Sequence, residues 1–364
     1  MHRSFPLFAF CFWLFSFPLL SSCSSTPPSI SPQVVPRLVY LQTDTSGISR
    51  LFSQPDLPSQ PSALALSLLA GCPIYRLYPN PVVALLAVEF QCGGGPVVQV
   101  YDLQASQSLD LGGALQTWAR FLAWSADGRF LYLRTNPLTD PQVIRLDRLS
   151  KQALTLSLPS TLYDLATLPD GRIVYSTTQG IGFGSQTWQA QADGRRARLI
   201  LSEPQDIVAY LRPSPNGKQV AFILFPDSQT PYPNGELRLM DADGSNPHDL
   251  ADADAGHGYA PAWSPDGTQI AFVVRINPSD SQTGTSGGTL PTNIYLIEVQ
   301  SGALSPVTTF ANATVETPTW SPDGTALFFN VIRNDTIRVW FDQGGALQSL
   351  NDETGCCAVW VPGR

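Results

Sequence analysis

The chain has 364 residues, 43% of them hydrophobic, and carries 21 Lys and Arg against 29 Asp and Glu, a formal net charge of −8. Its two lysines, Lys151 and Lys218, and the absence of any concentrated basic patch argue against a nucleic-acid partner. Three histidines, His2, His248 and His257, leave little material for general acid–base chemistry.

Residues 1–36 read as an address and a tether. Arg3 makes a short basic start, and the apolar run 5–20 is interrupted by Pro6 and Pro18, too short for a comfortable membrane-spanning helix of ~20 residues. Leu20-Ser21-Ser22-Cys23 resembles the lipobox of bacterial lipoproteins. That resemblance implies a signal peptide over 1–22, cleavage before Cys23, and acyl chains on the new N-terminal cysteine. The expected location is the cell envelope, outside the cytoplasmic membrane. Ser24 resembles the residue that permits outer-membrane sorting, which in a Gram-negative host implies the periplasmic side of the outer membrane. Residues 24–36 are rich in Pro and Ser; fully extended at ~3.1 Å per residue they would span roughly 40 Å.

From residue 37 onward the chain repeats. Two strands, 38–41 and 48–52, flank a Thr45-Ser46-Gly47 turn. Six copies of a strand, tight turn and second strand follow, with turn positions at residues 80, 127, 170, 216, 266 and 323. The clearest copies read Trp263-Ser264-Pro265-Asp266-Gly267 and Trp320-Ser321-Pro322-Asp323-Gly324, with Trp124-Ser125-Ala126-Asp127-Gly128 close behind. The copies at 213–217, 168–171 and 78–81 are weaker. Each is followed by a run of β-formers, and the turns are 43 to 57 residues apart, the length of a propeller blade. A third strand in each copy ends in an acid before a turn, as at Asp102, Asp147, Asp241, Glu298 and Asp342, where a carboxylate can cap the turn backbone.

The Trp-Ser-Pro-Asp-Gly turn followed by Ile270-Ala271-Phe272 resembles the repeat of TolB-like propellers. The resemblance implies an all-β propeller over 37–364, without room for the N-terminal α/β domain of TolB proteins. The segment 37–54 lacks a preceding motif, and Ala358-Val359-Trp360-Val361-Pro362-Gly363 looks like a motif cut off at its turn. A first blade that takes its innermost strand from the C-terminus leaves no open edge. Seven four-stranded blades are therefore expected, with six as the alternative. A monomeric propeller is expected.

Beyond Cys11 in the signal and Cys23, the cysteines are Cys72, Cys92, Cys356 and Cys357, and four cysteines allow three pairings. Cys72 and Cys92 sit nearly symmetrically about the hairpin near residue 81 and are expected to pair. Cys356 and Cys357 then form a vicinal bridge or remain thiols; a crosslink from Cys72 to either would instead staple the ring closure.

No nucleophile elbow, zinc-protease motif or phosphate loop is present, and the glycine run 93–95 reads as a flexible loop. Asp252, Asp254 and His257 carry metal-ligand chemistry, but their spacing fits no established site, and they read as a solvated acidic loop. Neither a cofactor nor a metal is expected, and no catalytic residue is assigned. Trp124, Trp263, Trp320 and Trp360 occupy one repeated position and read as packing between blades. Two functions remain: a tethered, non-enzymatic module or scaffold that binds a protein or cell-envelope partner, and a propeller hydrolase or lactonase with a channel-mouth metal. The first is preferred. Its expected working face lies opposite the Asp-Gly turns, where the loops 93–96, 135–141, 226–236 and 277–293 fall. The candidate contacts there are Trp118, Tyr163, Asp164, Asp206 and Tyr210, followed by His257, Tyr259, Glu316 and Glu353.

Overall fold

The Ser-Pro-Asp-Gly turns are self-contained knots of hydrogen bonds. Ser264 Oγ donates to Asp266 Oδ1 at 2.6 Å and accepts the Gln269 N–H at 2.9 Å, while Asp266 Oδ1 accepts the Thr268 N–H at 3.0 Å. Gly267 supplies the left-handed φ of +73° that closes the turn. The same wiring recurs at Ser321 and Asp323, at Ser125 and Asp127, and at Ser214 with Asn216 in the acid's place. The weakest copy substitutes Asn80, whose Oδ1 accepts the Val82 and Val83 N–H groups and whose Nδ2 donates to Gly128 O in the next repeat. A Cβ at Gly128 would overlap that amide, so both φ and close approach require glycine there.

The computed structural model describes residues 35–363 except 56, 58, 114–117, 137–139, 228–232, 256–258 and 278–289. These lie in the unit Val34–Arg364; the unit Met1–Gln33, with the expected signal peptide and Cys23, falls outside the described residues. Seven four-stranded antiparallel sheets form the blades. Blade one holds β1 (Arg37–Thr43), β2 (Ser49–Gln54) and β3 (Ser62–Ala63), and blade two β4 (Ile74–Pro79), β5 (Leu85–Cys92), β6 (Gly95–Asp102) and β7 (Gln107–Ser108). Blade three holds β8 (Ala119–Trp124), β9 (Phe130–Thr135), β10 (Gln142–Asp147) and β11 (Ala153–Thr155). Blade four holds β12 (Leu162–Thr167), β13 (Ile173–Thr178), β14 (Ser185–Ala190) and β15 (Arg198–Glu203). Blade five holds β16 (Asp206–Pro213), β17 (Gln219–Pro226), β18 (Asn234–Asp241) and β19 (His248–Asp254). Blade six holds β20 (Ala262–Trp263), β21 (Gln269–Arg275), β22 (Thr292–Glu298) and β23 (Leu304–Pro306). Blade seven holds β24 (Thr314–Trp320), β25 (Ala326–Arg333), β26 (Thr336–Gln343) and β27 (Ala346–Ser349), and β28 (Thr354–Val361) returns to blade one.

β28 pairs with β1 as the innermost strand of blade one, with Arg37 opposite Val361 and Thr43 opposite Thr354. The ring therefore has seven blades, and the C-terminal strand closes it.

The second strand of each blade is buried on both faces, which is why it reads as a continuous apolar run. In β17, Val220, Phe222 and Leu224 pack toward blade four while Ala221 and Ile223 pack toward blade six. In β25, Leu327, Phe329 and Val331 face blade six, and Ala326 and Phe328 face blade one. The core is thus seven apolar clusters, one at each blade-to-blade interface. The motif tryptophans staple these interfaces: Trp124 Nε1 donates to Tyr78 O, Trp263 Nε1 to Arg212 O and Trp320 Nε1 to Ala262 O.

Cys72 is bonded to Cys92, and Cys356 to its neighbour Cys357. All four cysteines pack against the single cluster between blades one and two.

Candidate binding face

The turn between the first and second strands of every blade lies on one face of the ring. The loops between second and third strands, and the links into the next blade, lie on the other. The inner strands begin at this second face, and six of the seven contain one extra residue relative to their neighbours. The register skips from Ile74 to Arg76, from Phe121 to Ala123, from Leu162 to Asp164, from Ala209 to Arg212 and from Glu316 to Thr319, and β28 does the same against β1. Such a bulge re-aims the side chains around it. Tyr75, Tyr163 and Tyr210 sit at three of these bulges. Tyr210, Thr317 and Cys357 adopt φ of +56°, +54° and +65°, a left-handed conformation that is strained for residues with a Cβ.

Acceptor side chains from the preceding blade hold several bulges in place. Glu89 Oε2 accepts the Phe121 N–H at 3.0 Å, Asp164 Oδ2 the Leu211 N–H at 2.7 Å, and Asn330 Oδ1 the Cys357 N–H at 3.1 Å. Asp164 Oδ1 also accepts the Leu165 N–H, so both of its oxygens are engaged within the protein. Glu316 accepts from Asn330 Nδ2 and shares a hydrogen bond with Tyr259.

These groups form a crowded polar rim around the channel. Burial, the neighbouring Tyr163 and the Asp164 charge push the Tyr210 phenol well above its ordinary pKa. Burial and the Glu316 carboxylate do the same to Tyr259. Burial raises Glu89, although the Phe121 N–H and the charges of Arg120 and Arg76 oppose it. Arg76 is disfavoured by burial, but Tyr78, Tyr75, Glu89 and Tyr210 more than offset that and hold its pKa above the usual value. Its charge acts on Tyr210 and Tyr259, on blades five and six, from blade two.

Of the nine residues expected on this face, Tyr163, Asp164, Tyr210, Tyr259 and Glu316 come together at the rim. Trp118 stands apart, its ring laid over the β5–β6 turn: a Cβ at Gly94 would overlap it, and Gly95 lies against it. The glycine run 93–95 is a platform for this indole as well as a turn. Asp206 opens β16 opposite Pro226, and its carbonyl accepts from Ser185 Oγ. Glu353 is exposed ahead of β28, and its N–H donates to Asn351 Oδ1. His257 lies outside the described residues, as do 137–139, 228–232 and 278–289 of the expected loops. Asp254 forms a buried ion pair with Arg275, Oδ1 to Nη2 at 2.5 Å, while Asp252 is exposed on the outer strand opposite Glu236. No group of three or more metal-ligating side chains occurs among the described residues.

Sequence reasoning missed Tyr75, Arg76, Glu89 and Arg120. The available signal was the broken alternation at Ile74-Tyr75-Arg76-Leu77, where two consecutive polar-tipped residues interrupt an inner strand. The exposed aromatics give the face its character. Tyr75 (52%), Trp118 (44%), Tyr163 (43%) and Phe183 (69%) are the large aromatic side chains most open to solvent among the described residues, and all four lie on this face. The exposed apolar residues of the opposite face, Val35, Val82 and Leu149, are aliphatic.

No protein-family model matches the chain. An uncharacterized protein of Agrobacterium fabrum, Atu1656, is 33% identical over 110 residues, which is 29% of this chain and 37% of that protein, so the match spans well under half of the relative's length. Among solved structures the chain is similar to oligogalacturonate lyase from Vibrio parahaemolyticus, at 12% identity over 87% of this chain and 85% of that one, with a TM-score of 0.52. It is also similar to TolB from Acinetobacter baumannii, at 15% identity over 90% of this chain and 67% of that one, with a TM-score of 0.49. The fold class is the seven-bladed β-propeller. Its Trp-Ser-Pro-Asp-Gly turns resemble the repeat of TolB-like propellers.

Proposed function

We propose that the chain is a non-enzymatic binding propeller of the bacterial envelope, tethered through an acylated Cys23, that holds a protein partner on the face opposite its Asp-Gly turns. The observation that carries this reading is the one-sided placement of Tyr75, Trp118, Tyr163 and Phe183. Aromatic side chains held open to water on a rigid scaffold are the usual anchors of protein recognition. The turn face, by contrast, consists of Ser, Asp and Gly groups that satisfy one another.

The test is affinity isolation from the native envelope with three folded variants. Cys23→Ala should move the protein from the membrane to the soluble fraction. A Tyr163→Ala/Phe183→Ala double variant should lose the partner that wild type retains, and Leu149→Ala on the turn face should retain it. Loss of the partner in Leu149→Ala alone would contradict the assignment of the face.

A further inference from the structure

Three arginines gather at the channel end of blades two and three around a buried carboxylate, Glu89, whose single charge can balance only one of them. Arg120 in β8 and Arg134 in β9 stand directly opposite each other in register, a like-charge pairing that disfavours the fold. Arg134 donates to the carbonyls of Leu162 and Ser160, both at 2.9 Å, so its partners are neutral. Burial and the Arg120 charge hold its pKa below the ordinary arginine value. Arg76 and Arg120 keep solvent-accessible surface at the rim and make no hydrogen bond or ion pair with the described residues; the Arg76 guanidinium lies 5.6 Å from the centre of the Tyr75 ring. Glu89 stands opposite Arg76 in register, and its charge acts on both Arg76 and Arg120 while its Oε2 accepts from the Phe121 N–H and the Tyr78 hydroxyl.

Resting on the reading of this face as the working one, we propose that Arg76, Arg120 and Arg134 form a carboxylate-recognition site that takes an acidic peptide segment of the partner. A guanidinium presents a planar fork of donors that matches a carboxylate bidentately. The exposed rings of Tyr75, against Arg76, and Tyr163, next to the Leu162 carbonyl that Arg134 holds, offer apolar surface to residues beside the acids. Arg, Tyr and Trp together are the side chains that dominate protein interfaces. A densely charged polyanion is the poorer fit. The molecule carries a net charge of −8, and Glu89, Asp164 and Glu316 stand at the same rim. A segment with one or two carboxylates among apolar residues meets the arginines and rings without that repulsion.

Fluorescence anisotropy with the full chain in detergent tests the site. The probe is a labelled peptide alternating glutamate with leucine, compared with its glutamine counterpart. Unlabelled acidic peptide, an oligouronate and inorganic phosphate serve as competitors. The acidic peptide should bind about tenfold more tightly than the glutamine form, and Arg76→Gln or Arg120→Gln should each weaken it about tenfold. Arg196→Gln, on the turn face, should change nothing. Arg120→Gln should not lower the melting temperature, because it removes a repulsion rather than a contact. Equal affinity for the two peptides, indifference to Arg120→Gln, or stronger competition by oligouronate or phosphate than by the acidic peptide would each overturn the site. Retention of the native partner by both arginine variants, together with its loss in Tyr163→Ala/Phe183→Ala, would discard this site and leave the aromatic face standing.

Discussion

At the scale of single residues, the motif tryptophans divide into two kinds. Trp124, Trp263 and Trp320 donate across a blade boundary to a carbonyl of the preceding inner strand. Trp360, at the equivalent position on the closing strand, packs edge-on against Phe328, and its buried Nε1 finds no protein acceptor. A net hydrogen bond contributes about 1 kcal/mol, and an orphaned buried group costs about 1–3 kcal/mol. Trp320→Phe should therefore destabilise the propeller by about 1–2 kcal/mol more than Trp360→Phe, as read from denaturant midpoints at constant slope. An equal or reversed ranking would show that the indole N–H bonds do not hold the blades together. The repeated Trp-Ser-Pro-Asp-Gly pattern was enough to locate these side chains, because turn chemistry is local and depends on residues within five positions of one another. The arginines were not readable in the same way. Arg120 and Arg134 are fourteen positions apart, and only strand register shows that they face each other.

At the scale of elements, the inner strands combine two tasks that alternation alone does not reveal. Their lower halves follow the period-2 pattern and end in the self-bonded turns. Their upper halves carry the bulges that bring Tyr75, Tyr163 and Tyr210 to the rim, and a single inserted residue leaves little trace in a strand of six to eight. This is why Asp164 and Glu316 read as open contacts in the sequence, while the structure gives both of them hydrogen-bonding work inside the ring. The closing strand is the clearest case of an element whose role was visible from its residues, since 358–363 repeat the motif up to the missing turn. Removing residues 354–364 takes Ala358 from the cluster between blades one and seven and Val361 from the one between blades one and two. With the half-buried Val359 and Trp360 also lost, the cost is on the order of 5 kcal/mol. A chain ending at Glu353 should unfold at a clearly lower temperature. An unchanged melting temperature would mean that β28 adds nothing to closure.

At the scale of the whole molecule, seven interfaces of similar make-up close on themselves, and the two faces differ in chemistry. One face is made of turns whose polar groups satisfy each other. The other gathers exposed aromatics, strained backbone and closely set arginines around the channel. Blade count and closure followed from spacing and from the split motif. The identity of the rim did not, because it is assembled from residues on six blades that share no local pattern. Site-specific photo-crosslinking in the native envelope is the most direct measurement of which face works, with probes at Tyr163 and Phe183 on one face and at Val82 and Leu149 on the other. A propeller that binds through its aromatic face gives the same crosslinked partner from Tyr163 and Phe183, none from Val82 or Leu149, and loss of the product when Arg120→Gln and Arg76→Gln are combined. The same partner crosslinked from Val82 and Leu149, with nothing from Tyr163 or Phe183, would contradict it.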